Sequence, residues 1–348
     1  MLEALCTLFP QADLFSLIAD RTTLTPGLRA HALRTSPLQV LPGIRHYYRW
    51  CLPIFPWAIE QLPVNEYDLV ISISHSVAKG VRPRPRTRTK HLCYCLTPMR
   101  YAWVFPDMYL GDTAAPMRAP AAQVFQYLRR WDLRTNQTVD QFVAISDTIR
   151  ARIHMHYHRE AEVIYPPVDC GRFAATPRRP QGYYLVVSAL VPYKRIDLAI
   201  EACTRLNRPL VVVGTGPCQA QWQRLAGPTV RFVNWLSPNA LAEAYAGAEA
   251  LLHPQEEDFG IAAVEAQAAG CPVIAYGKGG GGETVVHQHT GYLFHEQTVD
   301  AVMRAMESAA AVSWDARTLQ RHAQRFDHAV FVEQFRQCVD TLLSSPSI

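Results

Sequence analysis

The stretch "HPQEEDFGIAAVEAQAAGCPVIAYGKGGGGETVV", His253 to Val286, decides the fold. The apolar strand end "ALLHP" runs into three acids and a glycine, and a segment from Ile261 to Gly270 follows whose only polar residues are Glu265 and Gln267. A helix apolar on nearly every side is buried, and "PVIAYG" after it reads as a second buried strand. Strand, helix and strand without polar alternation indicate a parallel sheet covered on both faces. The pattern extends outward in both directions. "YYLVVSAL" (183–190), "KRIDLAIEACTRL" (194–206), "PLVVVG" (209–214), "PCQAQWQRLAG" (217–227), "VRFVNWL" (230–236) and "NALAEAYAGA" (239–248) alternate strand with helix, and "GYLF" (291–294) closes the series. Regular alternation of this kind predicts a doubly wound α/β domain. One residue stands out. A buried carboxylate at Glu265 needs a hydrogen-bonding or charged partner.

In the first half, "YDLVISIS" (67–74), "KHLCYCL" (90–96), "QFVAIS" (141–146) and "AEVIY" (161–165) predict a similar sheet. The Pro-rich, charged "PPVDCGRFAATPRRPQG" (166–182) separates the halves and reads as a linker. The expected division is a first domain over 1–168, a linker over 169–182, a second domain over 183–327 and a carboxyl-terminal helix over 328–348 returning toward the first. Two α/β domains with a cleft between them is the expected architecture, and 348 residues is enough for both.

Composition narrows the function. About half of the residues are apolar, yet no apolar run approaches the roughly 20 residues of a membrane span. The amino terminus lacks the basic start and small-residue cleavage site of a secretory signal. Nine cysteines, with no C-x-x-C pair, are expected to be reduced thiols in a cytoplasmic protein. Residues 1–180 hold 22 Lys/Arg against 14 Asp/Glu, a net of +8, whereas 181–348 hold 12 against 16, a net of −4. The basic half, with its aromatic-basic "IRHYYRWCLPIFPW" (44–57) and the loop "RPRPRTRTK" (82–90), suits an anionic membrane surface or a polyphosphate. Nucleic acid is not expected, because the only dense basic run is broken by prolines and no binding motif accompanies it. "HMHYH" (154–158) reads as a surface helix end and not a metal site.

In open parallel sheets, ligands bind beyond the carboxyl ends of the strands. "HPQEEDFG" is such an end, and the helix after it offers free N–H groups and a positive dipole to a phosphate. Gly260 allows close approach of a ligand. Asp258 is expected to cap the helix and Glu256 to be a solvated charge.

Glu257 and Glu265 stand in an E-x7-E pattern, joined in order by "CYCLTPMRYAW" (93–103), "VIYPPVD" (163–169), "SALVPYKRIDLAIEA" (188–202), "RPLVVVGTGP" (208–217) and "GGGGETVV" (279–286). With these motifs the chain resembles the retaining family-4 glycosyltransferases, and most of all the bacterial branch that adds mannose during O-antigen or exopolysaccharide assembly. The resemblance implies the GT-B fold, two Rossmann-like domains facing across a cleft. It implies transfer of a sugar, mannose from GDP-mannose, with retention onto a lipid-linked or polysaccharide acceptor, by an enzyme on the inner face of the plasma membrane. Glu257, with the backbone of Phe259, Gly260 and Ile261, would hold the sugar hydroxyls. Glu265 would bind the ribose, and Lys194 would neutralise the leaving diphosphate. Asn234, Trp235 and Leu236 would line the base pocket beside Gly214 and Gly216. His75, Lys79 and Arg100 would face the acceptor side. No metal or other cofactor is implied, and no D-x-D occurs. Two alternatives share the architecture: a degenerate, non-catalytic sugar-nucleotide binder and a sugar-nucleotide epimerase.

The chain departs from the family at three places. An arginine expected five residues before Lys194 is Ala189, and the histidine of the family's "CHTP" is Leu96. Related chains also place a strand and a glycine-rich loop ahead of the segment that Met1–Leu5 resembles. Slow turnover with donor binding intact is the expectation from these differences.

Overall fold

The structure, a computed structural model, describes residues 1–83, 89–104 and 115–344. The chain divides into two compact units, Met1–Ile164 with Val332–Ile348, and Tyr165–Phe331.

In the first unit, β1 (Leu14–Ser16) and β2 (Leu33–Thr35) form a small parallel pair. A parallel sheet in the order β3–β4–β5–β6 follows, from β3 (Leu69–Ser74), β4 (Lys90–Cys95), β5 (Gln141–Ala144) and β6 (Ala161–Val163). The register sets Ser74 beside Cys95, so His75 and Leu96 leave neighbouring strand ends. β4 is buried from His91 to Cys95, as the apolar run Leu92–Cys95 requires. Phe335 of the carboxyl-terminal helix meets Tyr94 edge-on at 5.8 Å. The basic loop 82–90 lies partly outside the described residues, which exclude 84–88. The helix Asp147–Tyr157 exposes His154, which pairs with Glu160, but buries its last residue, Tyr157, before a left-handed His158.

Lys79 corrects an expectation. It does not face a ligand: its side chain is 1% exposed and sits within the unit. Its ammonium faces Asp132 Oδ1 at 2.8 Å and donates to Thr135 Oγ1 at 2.8 Å and Asn136 Oδ1 at 2.9 Å. Asp132 Oδ2 also accepts from Trp103 Nε1 at 2.7 Å and Tyr157 Oη at 2.8 Å. A charge with this many partners is a structural one.

His91 is fully buried, with Nδ1 bonded to the Thr138 carbonyl and Nε2 to Ser72 Oγ. Burial pushes its pKa from 6.5 down to about 4. The unfolded chain therefore binds a proton that the folded one refuses between those values, so stability falls as pH drops from about 6.5 to about 4. The loss amounts to about 3 kcal/mol for this group at the 1.36 kcal/mol per pKa unit of linkage. His253 is shifted the same way. Urea unfolding at pH 7.5 and 4.5 is expected to show this drop, and His91→Gln to show a smaller one. An equal pH dependence in wild type and variant would remove the assignment.

The second unit carries six parallel strands in the order β12–β11–β10–β7–β8–β9. These are β7 (Tyr183–Val187), β8 (Leu210–Val213), β9 (Val230–Val233), β10 (Ala248–His253), β11 (Val273–Tyr276) and β12 (Gly291–Phe294). Helices Ile196–Arg205 and Val299–Ala310 bury Ile196, Ala199, Ile200, Val302 and Met306 with Val186, Val212 and Leu252. The chain winds outward from β7 through β8 to β9, then returns to β10 and winds the other way. β7 and β10 are therefore the topological switch point, where α/β sheets bind ligands. The expected linker 169–182 is not one. It holds the helix Cys170–Ala174, whose Phe173 is buried edge-on to Tyr245 at 5.6 Å, and it belongs to the second unit. Among the described residues no helix is long and apolar enough to cross a membrane.

Candidate functional site

The loops after β7 and β10 bring the two leading residues together. Lys194 ends the turn Pro192–Lys194, just ahead of helix Ile196–Arg205, and Glu257 lies between β10 and helix Ile261–Ala268. Their side chains form an ion pair, 11% and 19% exposed respectively. Burial alone would raise the Glu257 carboxyl, but Lys194, His253 and Gln255 together hold it below the usual carboxylate range. Glu257 is thus an anion at neutral pH. An anion can only accept hydrogen bonds, which suits ligand hydroxyls.

The glycine-rich run packs against the same loop. Gly280 N donates to the Glu257 carbonyl at 2.7 Å, and a Cβ on Gly280 would stand 1.9 Å from the Phe259 carbonyl oxygen. The residue that begins the helix is Gly260, left-handed at φ +91°. Phe259 is buried and stacks on Tyr165 at 5.6 Å, which leaves its backbone as its contribution. Ile261, 48% exposed, opens the helix.

Glu265 finds its partner inside the protein. Tyr245, from helix Pro238–Gly247, donates its hydroxyl to Glu265 Oε2 at 2.8 Å. Burial raises the Glu265 carboxyl, with Tyr245 and Arg172 opposing the shift. The sequence carried no local sign of Tyr245 in this role, because twenty residues and a strand separate the two.

Beyond β7, β8 and β9 lies a pocket of about 400 Å³, within the range of small-molecule sites. Ser188, Ala189, Gly214, Thr215, Asn234, Trp235, Leu236 and Leu241 line it. Gly214 and Gly216 set the loop after β8 against the backbone of Ser188 and Leu190, where a Cβ would come within 1.9 Å and 2.3 Å of their carbonyl oxygens. Gln219 Nε2 donates to Asn234 Oδ1 at 2.9 Å and fixes that side chain. Trp235 is 74% exposed, so a large aromatic face is free to stack on a planar ligand. Ala189 belongs to this pocket and carries no charge into it.

In the first unit, His75 follows β3, and Arg100 opens the π-helical turn Arg100–Val104. Partial burial and the Arg100 cation lower the His75 pKa. Tyr101 Oη and Ser76 Oγ, 2.6 Å apart, tie that turn to the β3 loop. Leu96 lies at the end of β4, its N–H bonded to the Ser74 carbonyl. Two residues of the second unit escaped the sequence reading. His253 and Gln255 contact each other, and Gln255 contacts Glu257. Their period-2 spacing with Glu257 was the available signal.

Residues 172–325 match the family model for glycosyl transferases group 1. The chain is 27% identical over 318 residues to the D-inositol 3-phosphate glycosyltransferase of Gordonia bronchialis, covering 81% of this chain and 66% of that protein. It is 30% identical over 206 residues to the GDP-mannose-dependent alpha-(1-6)-phosphatidylinositol monomannoside mannosyltransferase of Mycobacterium tuberculosis, covering 50% and 53%. The chain spans between half and two thirds of the length of these relatives. The structure of Anabaena HepE in complex with UDP and glucose is similar at a TM-score of 0.68 and 17% identity, over 97% of this chain and 96% of that one. The fold is GT-B, and residues 172–325 form a glycosyltransferase group 1 domain.

Proposed function

We propose that this protein is a retaining family-4 glycosyltransferase that moves mannose from GDP-mannose to a hydroxyl of a lipid-linked or polysaccharide acceptor. The Lys194–Glu257 pair at the switch point, beside a pocket with a free tryptophan face, carries the proposal. The nucleoside would occupy the pocket, with its base against Trp235 and its ribose toward Glu265. The diphosphate would draw Lys194 from Glu257, and the freed carboxylate would accept hydrogen bonds from the sugar. In the reaction the bond from the sugar's anomeric carbon to the diphosphate oxygen breaks, and one to the acceptor oxygen forms on the same face. The acceptor proton passes to the departing phosphate. Lys194 and backbone dipoles stabilise charge on the leaving group, where electrostatic preorganisation contributes most. The GDP-mannose-dependent relative supports the choice of donor, and the resemblance to the O-antigen and exopolysaccharide branch supports the acceptor class.

A thermal-shift screen against GDP-mannose, UDP-glucose and a dTDP-sugar tests this. At 100 times its dissociation constant the true donor stabilises by about 2.7 kcal/mol, a shift of several degrees, and GDP-mannose is expected to give it. Transfer is expected to survive a chelator, since Lys194 supplies the positive charge. No shift with any nucleotide sugar would overturn the proposal. A shift with UDP-glucose alone would overturn the choice of donor, and a strict need for added Mg²⁺ or Mn²⁺ the role of Lys194.

The acceptor side is proposed to work at an anionic membrane surface. In the first unit Val40, Tyr48, Trp50, Ile54 and Trp57 are all exposed, Trp50 by 81%, among Arg45 and His46. Aromatic rings with interspersed cations suit the headgroup region of a bilayer. Binding to vesicles containing phosphatidylserine is expected, to weaken with salt as charges are screened over ~8 Å, and to fall when Trp50 and Trp57 are both changed to Ser. Equal binding to neutral vesicles, or none to either, would refute it.

A further inference from the structure

We propose that His253 and Gln255 form a tautomer-locked relay that orients the Glu257 carboxylate, making both of them positioning residues for the transfer reaction proposed above, on which this inference rests. Residues 253, 255 and 257 occupy every second position as the chain leaves β10, and their side chains meet in sequence. Gln255 Nε2 lies 3.3 Å from Glu257 Oε1 and 3.0 Å from His253 Nδ1. The amide orientation follows from charge: reversed, it would set an oxygen 3.3 Å from an ionised carboxylate. Nε2 therefore donates to both neighbours. His253 Nδ1 must then accept, which places the imidazole hydrogen on Nε2. Burial agrees, since it lowers the His253 pKa to about 4 and keeps the ring neutral.

The far ends of the relay are left unpaired. His253 and Gln255 are each 1% exposed, and neither His253 Nε2 nor Gln255 Oε1 has a hydrogen-bond partner among the described residues. His253 Nε2 faces the bare Cα of Gly260, where a Cβ would stand 3.2 Å away. Unpaired buried polar atoms are costly, and apolar side chains of similar shape at these positions would be neutral or stabilising. The amide does bring a second donor to Glu257. Lys194 is the other, and in the proposed reaction it is drawn away by the diphosphate. Gln255 is then the group that keeps the carboxylate in place as the sugar binds.

Gln255→Met in the full chain is the test. Turnover is expected to fall about tenfold, with GDP affinity unchanged within twofold and thermal stability unchanged or higher. Lys194 and His253 are the charged and titratable groups facing Glu257. Loss of the amide donor should raise the carboxyl pKa and move the acid limb of the pH–rate profile upward. Long-range ¹H–¹⁵N correlation spectra should show His253 neutral and protonated at Nε2 in the wild type, with the preference weakened in the variant. Wild-type turnover and pH profile in Gln255→Met would overturn the relay. So would a His253 protonated at Nδ1. If the wild type transfers no sugar from any donor, the proposed function fails, and the tautomer alone then decides whether the relay exists.

Discussion

Lys194→Ala and Glu257→Gln are each expected to lower sugar transfer by about a hundredfold or more, on the scale of losing one preorganised electrostatic contact to a developing charge, while the protein stays folded. The two variants should differ in character. Lys194→Ala removes the cation that meets the diphosphate, so affinity for GDP alone should fall along with turnover. Glu257→Gln keeps the shape but replaces an acceptor-only anion with an amide, so the loss should appear in turnover and in the sugar nucleotide's advantage over bare GDP. Both side chains are largely buried, so removing one strands the other, and the cost in stability is read separately by urea unfolding so that it is not mistaken for the loss of transfer. Transfer rates measured with radiolabelled GDP-mannose, and calorimetry with GDP and GDP-mannose, separate the two. Wild-type rates in both variants would remove the site. Donor binding by the wild type without any transfer would favour a sugar-nucleotide binder over an enzyme.

The second large effect is on stability. Lys79→Met should destabilise the chain by about 3–5 kcal/mol, the usual cost of stranding one member of a buried ion pair. Asp132 would keep Trp103 and Tyr157 as donors but lose its counter-charge in a site closed to water. Urea unfolding with a probe in the first unit would read the change. An acceptor-binding lysine would behave differently, losing transfer at wild-type stability, and that outcome would restore the expectation that the structure corrects.

Much of the second unit was legible in the sequence. Strands such as "PLVVVG" and "PVIAYG" are apolar without alternation, and only a parallel sheet covered on both faces accommodates that pattern. Glu257 was legible through the E-x7-E pattern and the resemblance that it carries, and Lys194 because a cation ahead of a helix start is otherwise unfavourable. Residues 169–182 differ from a linker because proline and charge mark a loop locally, whereas the burial of Phe173 against Tyr245 depends on a helix seventy residues away.

The α/β class, the alternation of elements and the residue types at the sheet's carboxyl edge are all readable along the chain, because they follow from periodicities of two to four residues. Which of them meet depends on the packing of the whole unit. Strand order placed β7 beside β10 and so joined Lys194 to Glu257 across 63 positions of chain. It gave Glu265 the Tyr245 hydroxyl and turned Lys79 inward to Asp132. The physical reason is common to all three: a charge is stable out of water only beside a partner, and the partner is chosen by the packing of distant elements, which no local pattern records.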